Sequence, residues 1–327
     1  MVFAPAPELT ITIEQRGDDA DIHLHAGGQG IWQARMIATL GVPVVLCTVF
    51  GGETGSVLEP LTAAEGVWLR SVHGDARNAA YVHDRRDGER VVLARSPADP
   101  LPRHVLDELY GLTLAEGLRA EVSVLSGTQD PQVIEPDVYR RLAGDLRRNG
   151  CKVVADLAGE YLDAVLESGL DFLKVSHDEL IDSGRAKGDD EESLLEALRQ
   201  LHADGAEAVV VSRAEKPALA LVDGEIYEVV LPELEPADHR GAGDSMTAGV
   251  TATMAQGGDL RTAIKIGGAA GAVNVTRHGL GTGRASVVGE LMEKVELAPL
   301  DASAAQEEGP VTEVTPDQLA DEARRST

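Results

Sequence analysis

The spacing of apolar positions divides most of the chain into alternating strands and helices. Val2 to Ile13 reads as β structure broken at Pro5 and Pro7, whose fixed φ and missing N–H suit a ladder poorly. Ala20 to His25 alternates, with Ile22 and Leu24 on one face and Asp21, His23 and His25 on the other, the pattern of a half-exposed strand. In IWQARMIATL (31–40), Ile31, Ala34, Ile37 and Ala38 recur at helical spacing, and Gly41 supplies a stop. VPVVLCTVF (42–50) is almost wholly apolar, as a strand covered on both faces must be, and GGETG (51–55) turns into a second helix.

Residues 67–95 change character. Short alternating segments flank the turn signal Arg86-Asp87-Gly88 and predict a hairpin in a separate small sheet. Beyond Pro102 the alternation resumes: EVSVLSG (121–127), CKVVAD (151–156), DFLKVS (171–176) and AVVVS (208–212) read as strands, with helices near 135–148, 190–203 and 259–276. This order predicts an α/β fold with parallel strands, right-handed crossovers and helices on both faces. Ligands of such sheets bind at the carboxyl ends of the strands. No internal repeat is present.

Composition narrows the functional classes. The 327 residues can bury a large core, and with only 3% aromatics the aliphatic residues must fill it. A formal charge of −26 argues against nucleic acid and anionic membranes as general partners. It leaves room for a small phosphorylated ligand, which a few arginines and backbone amides can hold. The two cysteines, Cys47 and Cys151, sit in apolar runs and read as core residues. No apolar run approaches the roughly 20 residues of a membrane span, and the opening MVFAPAPELTITIE has no secretory pattern, so the cytoplasm is expected. Asp301 to Thr327, with seven acidic residues against two arginines, is expected to be a disordered tail or a loosely docked helix.

The strongest chemical signal is HRGAGDSMTAG (239–249), between the strand-like IYEVVL and a helix SMTAGVTATMA. Gly241 and Gly243 let several N–H groups gather at a helix N-terminus, where orphan amides and the helix dipole favour an anion. Developing charge on a transferred phosphoryl group suits that place, and Asp244 beside it can accept the proton of an attacking hydroxyl. A glycine-rich turn with Asp244 as an N-cap accounts for the same residues.

DHRGAGDSMTAG resembles the DTxGAGDxF signature of ribokinase/PfkB-type carbohydrate kinases, and AGGQGIWQARMIATLGVPVVLCTVFGGETG resembles that family's N-terminal signature. The likeness runs over about residues 1–297, nearest the 1-phosphofructokinase and tagatose-6-phosphate kinase branch. It implies a ribokinase-like three-layer α/β/α domain with a mostly parallel sheet and a small β-sheet lid at about 10–25 and 67–95, leaving 298–327 as the acidic tail. It implies ATP and Mg²⁺ as cofactors, a sugar or sugar phosphate as acceptor, and dimerisation through the lid sheets as a family tendency.

Residue by residue, Asp244 would be the general base, with the amides of Gly241, Ala242 and Gly243 as the anion hole. Gly27 and Gly28 would let the sugar lie against the backbone. Arg77-Asn78 resembles the lid-strand pair of the phosphosugar branch, Arg77 offering a fork for a substrate phosphate; Arg35 and Arg95 are weaker candidates. His23 and His25 would look toward the sugar. VSHDE (175–179) stands where the family has Asn-x-x-Glu, so Ser176 and Glu179 would sit by the phosphates, Glu179 reaching Mg²⁺ through water; a capping box explains the same pair. Ser212, Arg213, Asn274 and Gly281 would contact the nucleotide.

The departures fall on the acceptor side. Trp32 replaces the family's sugar-contacting Asn, and Gln29 replaces a Lys. Ala6-Pro7-Glu8-Leu9-Thr10 stands for Asn-Pro-Ala-x-Asp, so Thr10 replaces the Asp unless Glu8 has taken its role. The expected activity is phosphorylation of a sugar-phosphate hydroxyl. Alternatives are a kinase of an unphosphorylated sugar or nucleoside, and a binding protein of the same fold with weak turnover. A dinucleotide-dependent oxidoreductase is disfavoured, because no G-x-G-x-x-G follows the first strand.

Overall fold

The computed structural model describes residues 1–232, 234–235, 239–277 and 280–300. In chain order the elements are β1 (Val2–Ala4), β2 (Glu8–Arg16), β3 (Asp19–Gly27), α1 (Gln29–Thr39), β4 (Val45–Gly51), α2 (Gly52–Ala63), β5 (Trp68–Gly74), β6 (Ala79–Asp84), β7 (Val91–Ser96) and α3 (Arg103–Gly117). They continue as β8 (Val122–Ser126), α4 (Pro136–Arg148), β9 (Lys152–Asp156), α5 (Gly159–Leu166), β10 (Phe172–Ser176), α6 (His177–Asp182), α7 (Glu191–Ala203), β11 (Val209–Arg213), β12 (Lys216–Val222) and β13 (Glu225–Val230). α8 (Ala242–Ala255), α9 (Leu260–Val275), α10 (Ala285–Met292) and β14 (Glu296–Pro299) complete the series.

Ten strands form one sheet in the order β14-β13-β12-β11-β10-β9-β8-β1-β4-β5. From β5 to β11 every pairing is parallel, and β12 to β14 add an antiparallel edge. Strand residues alternate between two apolar layers, which is why the sequence runs are apolar throughout. Phe3, Cys47 and Val49 point into one layer with α3, α4, α5 and α7; Val2, Leu46 and Phe50 point into the other with α1, α8 and α9. The predicted three-layer α/β/α architecture is thus present. Gly41 ends α1 with φ +81°. Cys47 is buried, whereas Cys151 is half-buried and precedes β9.

The prolines at 5 and 7 mark where the chain leaves the large sheet. β1 stays in it, and β2 joins a four-stranded lid in the order β3-β2-β6-β7. The lid assignment of 67–95 needs correction: β5 pairs with β4, Trp68 opposite Val45 through Gly74 opposite Gly51, on the edge of the large sheet. Only β6 and β7 of that stretch belong to the lid. As an edge strand β5 has the alternation of a half-exposed element, so its pattern matched the lid strands. At the other end β14 reaches Pro299, two residues past the expected domain end at 297. Residues 301–327, the expected acidic tail, lie outside the described residues. Among the described residues no helix is long and apolar enough to cross a membrane.

Candidate active site

The carboxyl ends of the parallel strands and the lid enclose a cleft of about 270 Å³. Glu8 enters it from the start of β2, Gly28, Gln29 and Trp32 from the start of α1, Asp156 from the end of β9, Glu179 from α6 and Asp244 from α8.

α8 begins at Gly241, whose φ of +70° lies in the left-handed region, and no side chain caps it. Its first helical bond runs from the Ser245 N–H to the Gly241 carbonyl at 2.9 Å. The amides of Ala242, Gly243 and Asp244 therefore precede the helix ladder, as orphan donors at the positive end of the dipole. A Cβ at Gly243 would lie 2.4 Å from Lys174 Nζ, so the glycine is what admits this ammonium against the turn. Lys174 Nζ donates to Asp156 Oδ1 at 3.3 Å. Asp156 Oδ2 accepts from Thr247 Oγ1 at 3.0 Å and Gln33 Nε2 at 3.1 Å. Burial pushes Asp244 up to about 8; the charge of Asp156 adds to the shift and Lys174 opposes it. Burial also disfavours the Lys174 ammonium, but Asp156, Glu179 and Asp244 outweigh it and hold the group charged.

Sequence reading passed over Asp156, Lys174 and Gln33. A signal existed for the first two: Asp156 closes the apolar run VVA in CKVVAD, and Lys174 interrupts the apolar residues of DFLKVS, so each puts a charge where a buried strand is expected. Gln33 lay hidden on a helix without such contrast.

The structure brings some predicted residues together and separates others. Gly28, with φ +98°, sits at the N-cap of α1 and lines the cleft; a Cβ on Gly27 would lie 2.6 Å from Thr10 Oγ1. The Gln29 side chain accepts the Gly127 N–H at 2.5 Å, and its nearness to Asp244 works against the upward shift of that carboxyl. Thr10 is turned away, into a second recess behind Trp32 with Thr12, His25 and Arg35. Of the pair Glu8 and Thr10 it is Glu8 that lines the cleft, and burial pushes its pKa up to about 7, against the pull of Arg95. Both side chains lie on the same side of β2, but Thr10 is one step farther along the strand, which carries it past the cleft and into the second recess.

Arg77 lines neither recess. Its guanidinium is 3.6 Å from Asp99 and 47% exposed. The buried Asn78 accepts the Gly51 N–H at 2.8 Å and donates to the Val49 carbonyl at 3.0 Å, which fixes the turn between β4 and α2. Arg95 lies closer to the cleft, 4.0 Å from Glu8 and bound by both nitrogens to Asp130 at 3.0 Å. Arg35 is committed to Glu65 and to the Leu280 and Ala26 carbonyls. His25 lines the second recess, and His23 lies 3.6 Å from Asp21.

On the nucleotide side, Ser176 and Glu179 form the capping box: the Glu179 N–H donates to Ser176 Oγ at 3.2 Å and the Ser176 N–H to Glu179 Oε2 at 2.7 Å. Glu179 nevertheless lines the cleft. Ser212 pairs with Ser176 across β10 and β11. Arg213 is buried in ion pairs with Glu228 at 2.9 Å and Glu191 at 3.9 Å, and donates to the Pro217 carbonyl, so its guanidinium is engaged within the fold. Asn274 donates to the Arg240 carbonyl at 2.6 Å and accepts the Gly281 N–H at 2.8 Å. It ties the loop before α8 to the segment after α9. A Cβ on Gly281 would lie 2.4 Å from the Trp32 carbonyl oxygen. Asp238 of the DHRGAGDSMTAG segment, and His278 and Gly279 just before Leu280, lie outside the described residues.

A mostly parallel sheet with an uncapped glycine-flanked helix start at its carboxyl edge, roofed by a second small sheet, defines the ribokinase-like phosphotransferases. The chain belongs to the pfkB family of carbohydrate kinases, whose sequence profile matches residues 9–286. It is 30% identical over 259 residues to the ATP-dependent 6-phosphofructokinase isozyme 2 of Mycobacterium tuberculosis, covering 77% of this chain and 75% of that one. It is 27% identical over 283 residues to the 1-phosphofructokinase of Bacillus subtilis, covering 84% and 89%. The solved structure of phosphofructokinase-2 from Escherichia coli superposes with a TM-score of 0.79 at 24% identity, over 90% of this chain and 97% of that one.

Proposed function

We propose that the chain transfers the γ-phosphoryl group of ATP to a hydroxyl of a sugar phosphate. The observation that carries this reading is the placement of Asp244 in the cleft, at the first turn of an uncapped helix, with Lys174 against the same turn. Asp244 removes the hydroxyl proton, and the amides of Gly241, Ala242 and Gly243, with the Lys174 ammonium, stabilise charge on the migrating phosphoryl group. Glu8 accepts hydrogen bonds from acceptor hydroxyls, and Gly28 and Gln29 line the same wall. The substrate phosphate is met by Arg95 or Arg240, both of which act on Glu8, rather than by Arg77.

Among the described residues no three ligating side chains cluster to hold a metal. Glu179 places one hard carboxylate in the cleft, which fits a Mg²⁺ held largely by nucleotide oxygens and water. Such an ion would neutralise charge on the transferring phosphate; Glu179 itself positions water and keeps Ser176 capped.

A kinase of unphosphorylated acceptors is the second reading. It is favoured by one observation: no arginine or lysine occurs among the described residues lining the cleft. ADP release decides between them. Turnover with fructose 1-phosphate, fructose 6-phosphate or tagatose 6-phosphate supports the first reading; turnover only with free sugars or nucleosides supports the second. No turnover with any acceptor defeats both. We also propose a homodimer formed through the lid sheet, argued in the Discussion. The relative from Escherichia coli has been solved as a tetrameric inhibited form.

A further inference from the structure

Gln33 lies on α1 with no exposed surface, yet its polar end faces two acids. Its Nε2 is 3.1 Å from Asp156 Oδ2 and 3.4 Å from Asp244 Oδ1. Its Oε1 accepts from Ser126 Oγ, at the end of β8, at 2.6 Å. An amide facing two carboxylates must present its NH₂ end to them, and the Ser126 hydroxyl holds the opposite end so that the group cannot turn over. Asp156 has other donors, Lys174 and Thr247. Asp244 has Gln33 as a donor, with Gln29, also from α1, favouring its ionised form. Around it stand Asp156 from β9, Lys174 from β10 and Glu179 from α6, so its carboxylate sits in a field of mixed sign with few fixed donors.

We propose that Gln33 is a positioning residue for phosphoryl transfer, bridging Asp156 and Asp244 so that the Asp244 carboxylate stays aimed at the acceptor hydroxyl, with Ser126 setting the direction of the bridge. The proposal rests on Asp244 being the base. Without the bridge, repulsion from Asp156 is unopposed on that side and the Asp244 side chain is free to rotate off line. Misplacement of a base by even about 1 Å costs roughly 100-fold in rate.

The test is a cycle of Gln33→Met, which keeps the shape and removes the donor, and Ser126→Ala. Gln33→Met is expected to lower kcat roughly 10- to 100-fold, with KM for ATP and for the acceptor little changed. Ser126→Ala is expected to lower kcat several-fold alone and to have no further effect on Gln33→Met, because the two act as one unit. Multiplicative losses, or a loss confined to KM, would overturn the proposal and leave only a packing role. A crystal structure of Gln33→Met supplies a readout independent of turnover: Asp244 is expected in a different rotamer, and an unmoved carboxylate overturns the proposal. If the wild-type chain phosphorylates nothing, the proposed function fails, while the rotamer still decides the role of Gln33.

Discussion

A buried carboxylate is a poor resting anion and therefore a useful base. Asp244 is pushed up to about 8 by burial and by Asp156, so at neutral pH much of it carries a proton. Only the ionised form can accept one from a hydroxyl. The rate constant kcat/KM is accordingly expected to climb as pH rises through 7, to be half-maximal near 8, and to level about one unit above that. An acid limb near the ordinary Asp value of about 4 would show that some other group governs turnover. Asp244→Asn, close in shape, should lower kcat by about 10³-fold and leave ATP binding by calorimetry intact; near-normal turnover would remove the residue from the chemistry. Acceptor recognition follows the same logic. Glu8→Ala should raise KM for the acceptor at least tenfold, whereas Arg77→Ala, 47% exposed and beside Asp99, should change it little for phosphorylated and unphosphorylated acceptors alike. The GAGD turn was legible in sequence because its chemistry is local: glycines, helix start and acid are consecutive. Lys174, Asp156 and Glu8 join it only through strand order, which single residues do not disclose.

At the scale of elements, what could be read was whatever buried a regular stripe. α4, α7 and α9 matched expectation within a residue or two, and β4, β8 and β11 announced themselves as apolar runs. α3 escaped because its inward positions are Val105, Leu109, Thr113 and Gly117, a stripe whose lower half is not apolar. The strand β5 was placed in the wrong sheet for a related reason, since an edge strand and a lid strand share one alternation. In the proposed function the β10–α8 junction carries the contact between Lys174 and the turn before α8. There the missing side chain of Gly243 makes room for the end of Lys174. Gly243→Ala would force the ammonium off Asp156, and kcat should fall roughly 100-fold while the melting temperature moves by only a few degrees. Wild-type turnover in this variant would mean that Lys174 serves the fold and not the reaction. Chelation of divalent cations tests the metal: EDTA should abolish ADP release and added Mg²⁺ restore it, with the fold unchanged.

At the scale of the whole molecule, the lid is amphipathic the wrong way round for a monomer. Thr10, Thr12, Tyr81 and His83 face the body of the protein and are buried. The opposite face carries cross-strand apolar rows: Leu24 beside Ile11 beside Val82 beside Ala94, and Ile22 beside Ile13. Ile22 is 59% exposed and Leu24 44%, and Val91, Val92 and Leu93 on β7 are exposed as well. A contiguous apolar sheet face of this kind is rarely left in water. A second copy of the same lid is the occupant that fits, because a two-fold contact lets each row cover its counterpart and removes four apolar strands from solvent at once. Ile22 and Leu24 are already about half covered, so burying the remainder on both protomers is worth roughly 1 kcal/mol per side chain; with the added cost of burying four carboxylates, Ile22→Asp with Leu24→Asp should weaken association by several orders of magnitude. Sedimentation should show the wild-type chain as a dimer at micromolar concentration and the double variant as a monomer. Because these side chains make no contribution to the protomer core, the variant should keep its melting transition when extrapolated to low concentration. The monomer's KM for the acceptor should rise, since the lid strands that carry Glu8 and Arg95 lose the partner sheet that holds them over the cleft. A wild-type chain that sediments as a monomer, or a double variant that remains dimeric, would place the interface elsewhere and leave the apolar rows to another role.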